Sequence, residues 1–347
     1  MNQIKNIEIK NFKSIRHQTI DDCKRINVFI GYPNVGKSNI LEGLSLISYL
    51  SNYGQTSLKS FCRFKELIDL FNDGDKQKDA EIFADDYVFA LRFIDKNQID
   101  LGIVEKVNYV EKFNHATSRV FKNIRIDRNG KTNTVYADAF NDKLLVLKKY
   151  EFRTELESSK DNPTKLNFPF GSNLAEVVRY NSLLRKECGE LFSTYNLKLV
   201  FDENENIIIQ KQLDEFSAFQ FSFSQVADTL QRLIFHKAAI ATNENSVLLF
   251  EEPEAHMFPP YISKFTADVM YDKNDNQFFI TTHSPFVVND FLENLKNEEL
   301  SIYVVGYKKE TGETLIRKLT DEELHEIYQY GIDLYFNLEN YLMHEQQ

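Results

Sequence analysis

Three things are scarce in this 347-residue sequence: cysteine, long apolar runs and positive charge. Its cysteines (Cys23, Cys62 and Cys188) are widely spaced and form no C-x-x-C pair, which indicates reduced structural thiols and no zinc site. No apolar run approaches membrane-spanning length, and the N-terminus lacks the apolar core of a signal peptide, so we expect a cytoplasmic protein with no membrane partner. The net charge of −11 argues against a broadly basic nucleic-acid-binding surface but leaves room for a local basic strip.

What the sequence does contain is a complete phosphate-loop pattern between an expected strand and an expected helix. Residues 31–38, GYPNVGKS, fill every fixed position of G-x-x-x-x-G-K-[ST]. A run of β-formers precedes them, and apolar residues at helical spacing follow them. In this setting backbone N–H groups wrap an anionic phosphate, Lys37 reaches the β- and γ-phosphates, and the Ser38 hydroxyl completes a Mg²⁺ shell.

Two later strands end in polar side chains suited to phosphate hydrolysis. The run VLLF is followed by Glu251 and Glu252, and the run FFIT is followed by Thr282 and His283. Hydrolysis of a bound nucleotide needs one carboxylate in the metal shell and another to activate water. A histidine at the carboxyl end of a strand in such a sheet is placed to hydrogen-bond the γ-phosphate.

The order of phosphate loop, FEEPEAH and TTHSP resembles that of ABC-type ATPases of the SMC/RecF/OLD group, and the opening IKNIEIKNFKSI is also typical of that group. By this resemblance Glu251 takes the metal-binding Walker B position, Glu252 is the general base and His283 is the switch histidine. Residues 255–257 correspond to the D-loop, which meets a partner subunit. The cofactors implied are ATP and Mg²⁺, with Ser38 and Glu251 as metal ligands. The residues expected to bind nucleotide are Lys13, Asn34, Val35, Gly36, Lys37, Ser38 and Asn39.

The family's signature motif, which caps the ATP of the other subunit, should begin the helix before the Walker B strand. The residues at that place are Ala227, Asp228, Thr229 and Arg232. The small serine and glycine of the family are replaced there, and a plain amphipathic core helix is the alternative. If the signature holds, ATP would join two copies into a head-to-tail homodimer with both nucleotides between the subunits.

The resemblance implies an α/β fold: a P-loop NTPase head of the ABC type with a mixed, mostly parallel core sheet, an added antiparallel sheet and a helical lobe. We expect one composite domain made of lobes 1–165 and 166–347. Periodicity predicts helices at 38–53, 174–192 and 226–241, the last with Ser224 as N-cap, and a weak helix at 143–159. The predicted strands are 3–10, 26–30, 87–93, 99–104, 107–110, 120–126, 132–136, 197–201, 207–211, 219–223, 247–250, 278–281 and 300–305, with hairpin turns at 129–130 and 202–206.

A basic cluster surrounds the turn at residues 129–130 of the inserted sheet. Phosphate-backbone contact with DNA and a solvated edge strand protected by charge are equally good interpretations. The candidate DNA-contacting residues are Arg119, Lys122, Arg125, Arg128 and Lys131.

The leading functional hypothesis is an ATP-gated dimeric switch in a bacterial anti-phage defence module. After His283 we expect no room for the nuclease domain that OLD proteins carry, so any cutting would belong to a separate effector protein. One alternative is a RecF-like repair ATPase that binds DNA directly. Another is a nucleotide-sensing scaffold that scarcely hydrolyses ATP.

Overall fold

The structure is a computed structural model that describes residues 3–106, 120–137, 146–154, 159 and 163–343; for residues 120–122, 134–137 and 343 it describes the backbone alone. The strands are Ile7–Phe12 (β1), Ile15–Ile20 (β2), Ile26–Gly31 (β3), Ala80–Ala84 (β4), Tyr87–Asp95 (β5), Gln98–Glu105 (β6), Val120–Asp127 (β7), Thr132–Ala137 (β8), Leu147–Tyr150 (β9), Leu197–Phe201 (β10), Ile207–Gln212 (β11), Ala218–Ser222 (β12), Val247–Glu251 (β13), Gln277–Thr281 (β14), Leu300–Tyr307 (β15) and Thr314–Lys318 (β16). The helices are Lys37–Asn52 (α1), Leu174–Tyr180 (α2), Ser182–Ser193 (α3), Asp228–Ala241 (α4), Pro259–Met270 (α5), Pro285–Asn294 (α6), Asp321–Tyr330 (α7) and Leu338–Met343 (α8).

The core is a six-stranded sheet in the order β16-β15-β3-β14-β13-β9. All neighbours in it run parallel except the β15–β16 pair. Its central strands are buried and mostly apolar because both faces are covered. In β3, for example, Val28 packs into the core formed with helices α4, α5 and α6, while Phe29 packs into the core formed with α1. The carboxyl ends of β3, β13 and β14 therefore meet at one edge of the sheet.

A seven-stranded antiparallel sheet, in the order β2-β1-β4-β5-β6-β7-β8, covers the other side of α1. Helix α1 is consequently buried on nearly all sides, and even the carboxyl group of Glu42 lies inside. A third, small sheet (β10-β11-β12) packs with α2, α3 and α4 and forms the helical lobe. Among the described residues, no helix combines the length and apolar character needed to cross a bilayer.

Most of the predicted elements are present. The phosphate-loop helix, the hairpins at 129–130 and 202–206 and the parallel strands at 247–250 and 278–281 were predicted correctly. The strand predicted at 300–305 extends to Tyr307 in the structure and pairs with β16. The strands β2, β4 and β16 were not predicted. The strand predicted at 107–110 lies outside the described residues.

Three predictions of secondary structure were wrong. The segment 143–159, predicted to be weakly helical, contains strand β9, because pairing with β13 outweighs the local propensity of a charged stretch. The single helix predicted at 174–192 is divided at Asn181, whose side chain caps α3 by accepting from the Leu184 N–H. Ser224 is not the N-cap of α4: that position belongs to Ala227, and Ser224 lies in a preceding 3₁₀ turn.

The buried centre of the sheet gives a stability prediction. Leu249 in β13 is fully buried, so Leu249→Ala should lower the free energy of unfolding by about 2–5 kcal/mol through lost burial and the cavity left behind. The matched control is Leu183→Ala on α3, where the side chain is 65% exposed, and there we expect a change within about 0.5 kcal/mol. Urea unfolding followed by circular dichroism measures both, and equal effects would contradict the packing described.

Candidate nucleotide site

The phosphate loop between β3 and α1 has two glycines that no other residue could replace without rearrangement. A Cβ added at Gly31 would lie 2.2 Å from the Val305 carbonyl oxygen. Gly36 has a φ of +103°, and a Cβ there would lie 2.2 Å from Thr314 Oγ1. The loop is thus fitted against β15 and β16, which leaves its backbone N–H groups at the start of α1 to face an anion.

The Lys37 ammonium is held inside this loop. Its side chain is buried, and Nζ donates to the carbonyl oxygens of Gly31 and Tyr32 at 2.9 and 2.8 Å. Burial lowers the pKa of Lys37 to about 8, although the nearby carboxylates of Glu251 and Glu252 oppose that shift. Within the described part of the chain, the hydrogen-bond partners of this cation are these two neutral oxygens, so a bound triphosphate would stabilise its charge.

Glu251, the predicted metal ligand, lies at the end of β13 beside Ser38. Burial raises the pKa of Glu251, but the charge of Lys149, a hydrogen bond from the Ser38 hydroxyl and the guanidinium of Arg63 outweigh it, so the net pKa is lowered. The Arg63 guanidinium lies 2.9 Å from the Glu251 carboxylate, and Lys149 Nζ lies 3.9 Å from it. An ionised carboxylate next to a hydroxyl is a hard oxygen donor set that fits Mg²⁺.

Glu252 and His283 face each other across the ends of β13 and β14. Glu252 Oε1 lies 3.3 Å from His283 Nε2. Glu252 has a φ of +44°, an unusual conformation for a residue with a side chain, and such strain is concentrated at functional positions. Burial and the charge of Lys37 lower the pKa of His283, partly opposed by Glu252. The neutral imidazole is therefore favoured at neutral pH.

These residues line one cavity of about 670 Å³, a size within the range of nucleotide-sized ligand sites. The phosphate loop forms one wall and the ends of β9, β13 and β14 form the other. The predicted residues that line it are Asn34, Gly36, Lys37, Ser38, Asn39, Arg232, Glu251, Glu252 and His283.

Comparison with known proteins gives the family of the chain. The family described as "AAA domain, putative AbiEii toxin, Type IV TA system" matches residues 26–289, about three quarters of the chain. The chain belongs to this family. It is an ABC-type ATPase of the SMC/RecF group, as the phosphate loop, the acidic pair and the histidine also indicate.

Individual relatives are more distant. Protein ea59 of Escherichia phage lambda is 29% identical over 137 residues, which are 39% of this chain and 24% of that protein. The DNA replication and repair protein RecF of Thermoanaerobacter sp. (strain X514) is 32% identical over 63 residues, which are 18% of this chain and 17% of RecF. The matches thus span a quarter or less of these curated relatives. The SMC head bound to the C-winged helix domain of ScpA shares the fold, with a TM-score of 0.52 at 16% identity over 92% of this chain and 98% of that one.

The remaining predicted nucleotide-binding residues of this ATPase differ in their surroundings. The Val35 side chain is buried, and its carbonyl oxygen accepts from Thr314 Oγ1 at 3.0 Å. Asn39 Nδ2 donates to Ser14 Oγ at 2.6 Å. The Lys13 ammonium contacts the Glu42 carboxylate and donates to the Arg63 carbonyl oxygen, and Lys13 is not among the described residues that line the cavity.

The signature-like residues lie at the start of α4. Ala227 is the N-cap residue, and Thr229 Oγ1 donates to the carbonyl oxygen of His256 in the D-loop segment at 2.9 Å. Arg232 Nε donates to Asp228 Oδ2 at 2.7 Å, and the Arg232 guanidinium lies 4.8 Å from the Phe152 ring centroid. Within one chain this helix start is therefore tied to the D-loop segment and borders the nucleotide cavity.

Sequence reasoning missed several charged residues in the cavity wall. Arg63 lies among irregular 3₁₀ turns, and Lys149, Glu151 and Arg153 lie in or after the strand that was predicted as a helix. Ser14, which also lines the cavity, was not predicted either, although it belongs to the opening motif that the sequence analysis noted; it contacts both Thr314 and Asn39. The charged residues of the cavity wall follow no pattern that a single sequence reveals.

The basic cluster near residues 129–130 is only partly described. Arg125 makes a two-pronged ion pair with Asp100 at 2.7 and 2.9 Å, which commits its guanidinium within the sheet. Arg128 and Lys131 are exposed at the turn. Arg119 and the side chain of Lys122 lie outside the described part of the chain.

Removing the phosphate-loop cation should strongly weaken nucleotide binding. We expect Lys37→Ala to weaken ATP binding by at least about 100-fold, because a buried charge-assisted contact to the phosphates is lost. Lys308→Ala is the matched control, because Lys308 is exposed and is not among the described residues that line the cavity; this variant should bind ATP as the wild type does. Isothermal titration calorimetry measures both. Wild-type affinity in Lys37→Ala would refute the site.

The lowered pKa of Lys37 predicts a pH dependence. In the free protein the Lys37 amine loses its proton as pH rises through about 8, whereas bound phosphate favours the charged form. ATP binding above pH 8 must therefore be accompanied by proton uptake, and affinity should fall between pH 8 and 9.5. Calorimetry in two buffers of different ionisation enthalpy measures the uptake directly; constant affinity with no uptake would contradict the prediction.

Proposed function

We propose that this ATPase is an ATP-gated switch that works as a head-to-tail homodimer in a bacterial defence module, with a separate protein as effector. The observation that carries the proposal is the convergence of Glu252 and His283 on the cavity that also contains Lys37 and Ser38. A carboxylate beside a neutral imidazole at the terminal-phosphate end of the cavity is suited to activating water.

The exposure of the Glu252 and His283 side chains to solvent supports the dimer. The side chains of Glu252 and His283 are 43% and 36% exposed, although efficient hydrolysis requires bulk water to be excluded. Large apolar side chains are exposed in the same loops: Phe258 follows the acidic pair and is 63% exposed, and Phe286 follows the histidine and is 52% exposed. Exposed apolar groups of this kind mark contact surfaces, and a second copy would cover them and close the site.

Each residue then has a definite task. Lys37 and the phosphate-loop N–H groups hold the triphosphate, and Ser38 and Glu251 would hold Mg²⁺, which neutralises phosphate charge when bound. Glu252 accepts the proton of the attacking water, while His283 donates to the γ-phosphate or orients the water. After hydrolysis the contacts made through the γ-phosphate are lost, so the closed dimer is no longer favoured.

The biological assignment is supported by the family description, which names AbiEii and a type IV toxin–antitoxin system. In this proposal a separate partner protein, which responds to the open or closed state of the dimer, carries out any destructive chemistry. The 63 residues similar to RecF favour direct DNA binding as the alternative. ATPase stimulation by DNA alone, with no partner present, would support that alternative.

Substituting the proposed general base should trap the closed state. Glu252→Gln keeps the size of the side chain and removes the base, so we expect ATP binding within about threefold of wild type, turnover reduced by at least about 100-fold and accumulation of dimers with ATP. Glu298→Gln, at an exposed carboxylate, is the control. Single-turnover hydrolysis and light scattering on a sizing column measure these outcomes.

Two results would contradict the proposal. Normal hydrolysis by Glu252→Gln would remove Glu252 from the role of base. A wild-type protein that binds ATP but shows negligible single-turnover hydrolysis would instead support a nucleotide-sensing scaffold.

A further inference from the structure

A buried carboxylate that the steps above do not use lies directly beneath the switch histidine. The Glu254 residue is 8% exposed. Its Oε1 accepts from the Thr282 hydroxyl at 2.6 Å and from the backbone N–H of His283 at 3.0 Å. Its Oε2 is buried and has no hydrogen-bond partner among the described atoms. A carboxylate kept inside the protein with half of its acceptors unused is costly, so its position calls for a reason.

The contacts of Glu254 join two loops that carry the proposed catalytic groups. Glu254 and Glu252 follow β13, whereas Thr282 and His283 follow β14. A second link runs between the same loops, because the N–H of Glu252 donates to the Thr281 carbonyl oxygen at 2.9 Å. With these two links in place, the Glu252 and His283 side chains lie 3.3 Å apart.

The hydrogen bonds made by Glu254 also extend to the residue after His283. The Thr282 hydroxyl, while donating to Glu254, accepts from the Ser284 N–H at 2.9 Å. Glu254 thereby fixes the backbone on both sides of His283 just before α6 begins. Burial, with a smaller contribution from the charge of Glu252, leaves the pKa of Glu254 raised, although the hydrogen bonds from the Thr282 hydroxyl and the His283 N–H oppose that shift.

We propose that Glu254 is a positioning residue that couples the loop of the general base to the loop of the switch histidine, so that Glu252 and His283 hold one geometry and move together. The inference rests on the proposed function, because it assumes that this pair acts in ATP hydrolysis. Glu254 itself touches neither nucleotide nor water in this scheme. It acts through the His283 backbone.

The test compares three substitutions. Glu254→Ala removes both acceptor bonds, and a misplaced histidine should lower kcat by about 10- to 100-fold with ATP affinity within about twofold of wild type. Glu254→Gln keeps an acceptor oxygen for both donors and should retain most of the activity. Thr282→Val breaks one of the two bonds from the other side and gives a result even if Glu254→Ala does not fold. Glu298→Ala, at an exposed carboxylate, is the control.

A double-mutant cycle decides whether the effect passes through the histidine. In a His283→Ala background, Glu254→Ala should lower kcat no further, whereas a purely structural role would give the full loss again. Equal damage by Glu254→Gln and Glu254→Ala, or losses that add fully in the cycle, would overturn the proposal.

A measurement on the nucleotide-free protein separates this inference from the proposed function. The His283 ring signals, assigned by their loss in His283→Ala, should move in the NMR spectrum of Glu254→Ala or Thr282→Val and stay in place in Glu254→Gln. Unmoved signals would overturn the positioning role whatever the ATPase rate. Moved signals in a protein whose wild type does not hydrolyse ATP would support the coupling and refute the proposed function.

Discussion

The parallel pairing of β3, β14 and β13 is the constraint on which the site depends. In this register Thr281 pairs with both Phe29 and Glu251, so β13 and β14 end level with each other, and β3 continues past them to Gly31 at the start of the phosphate loop. Chain segments more than 200 residues apart in sequence thus deliver the phosphate loop, the acidic pair and the histidine to one edge of the sheet. A shift of one residue in any of these strands would turn the terminal side chains to the opposite face and separate the site.

Packing on both sides of the sheet keeps that edge rigid. Helix α1, which begins inside the phosphate loop, lies between the core sheet and the antiparallel sheet, so neither can move without repacking a buried helix. From the other direction β16 reaches the loop through Thr314, which donates to the Val35 carbonyl oxygen. The sequence motif of the phosphate loop is local. Its position nevertheless depends on the antiparallel sheet packed on α1 and on Thr314 near the end of the chain.

The sequence predicted those parts of the fold and site that depend on local pattern. The phosphate loop is a contiguous motif, and the continuous apolar runs before Glu251 and His283 are what a strand buried on both faces must have. Long-range pairing could not be predicted. Lys149 resembles a surface residue in sequence, yet its ammonium is buried against the Phe61 carbonyl oxygen and near Glu251, and only the pairing of β9 with β13 puts it there. The same holds for Arg63, which reaches Glu251 from an irregular segment.

These unpredicted cations resolve the conflict between the net charge of the protein and the charge of its expected ligand. The chain carries −11 overall, and a triphosphate is strongly anionic, so the average field would repel it. The described cavity wall, however, carries more basic than acidic side chains: Lys37, Lys59, Arg63, Lys149, Arg153 and Arg232 against Glu151, Glu251 and Glu252. Because surface charges are screened within about 8–10 Å, this local excess and not the total charge decides what enters the site. Arg63 and Lys149 also lower the pKa of Glu251, and the ionised carboxylate that they favour beside Ser38 would be a hard oxygen ligand for a metal ion.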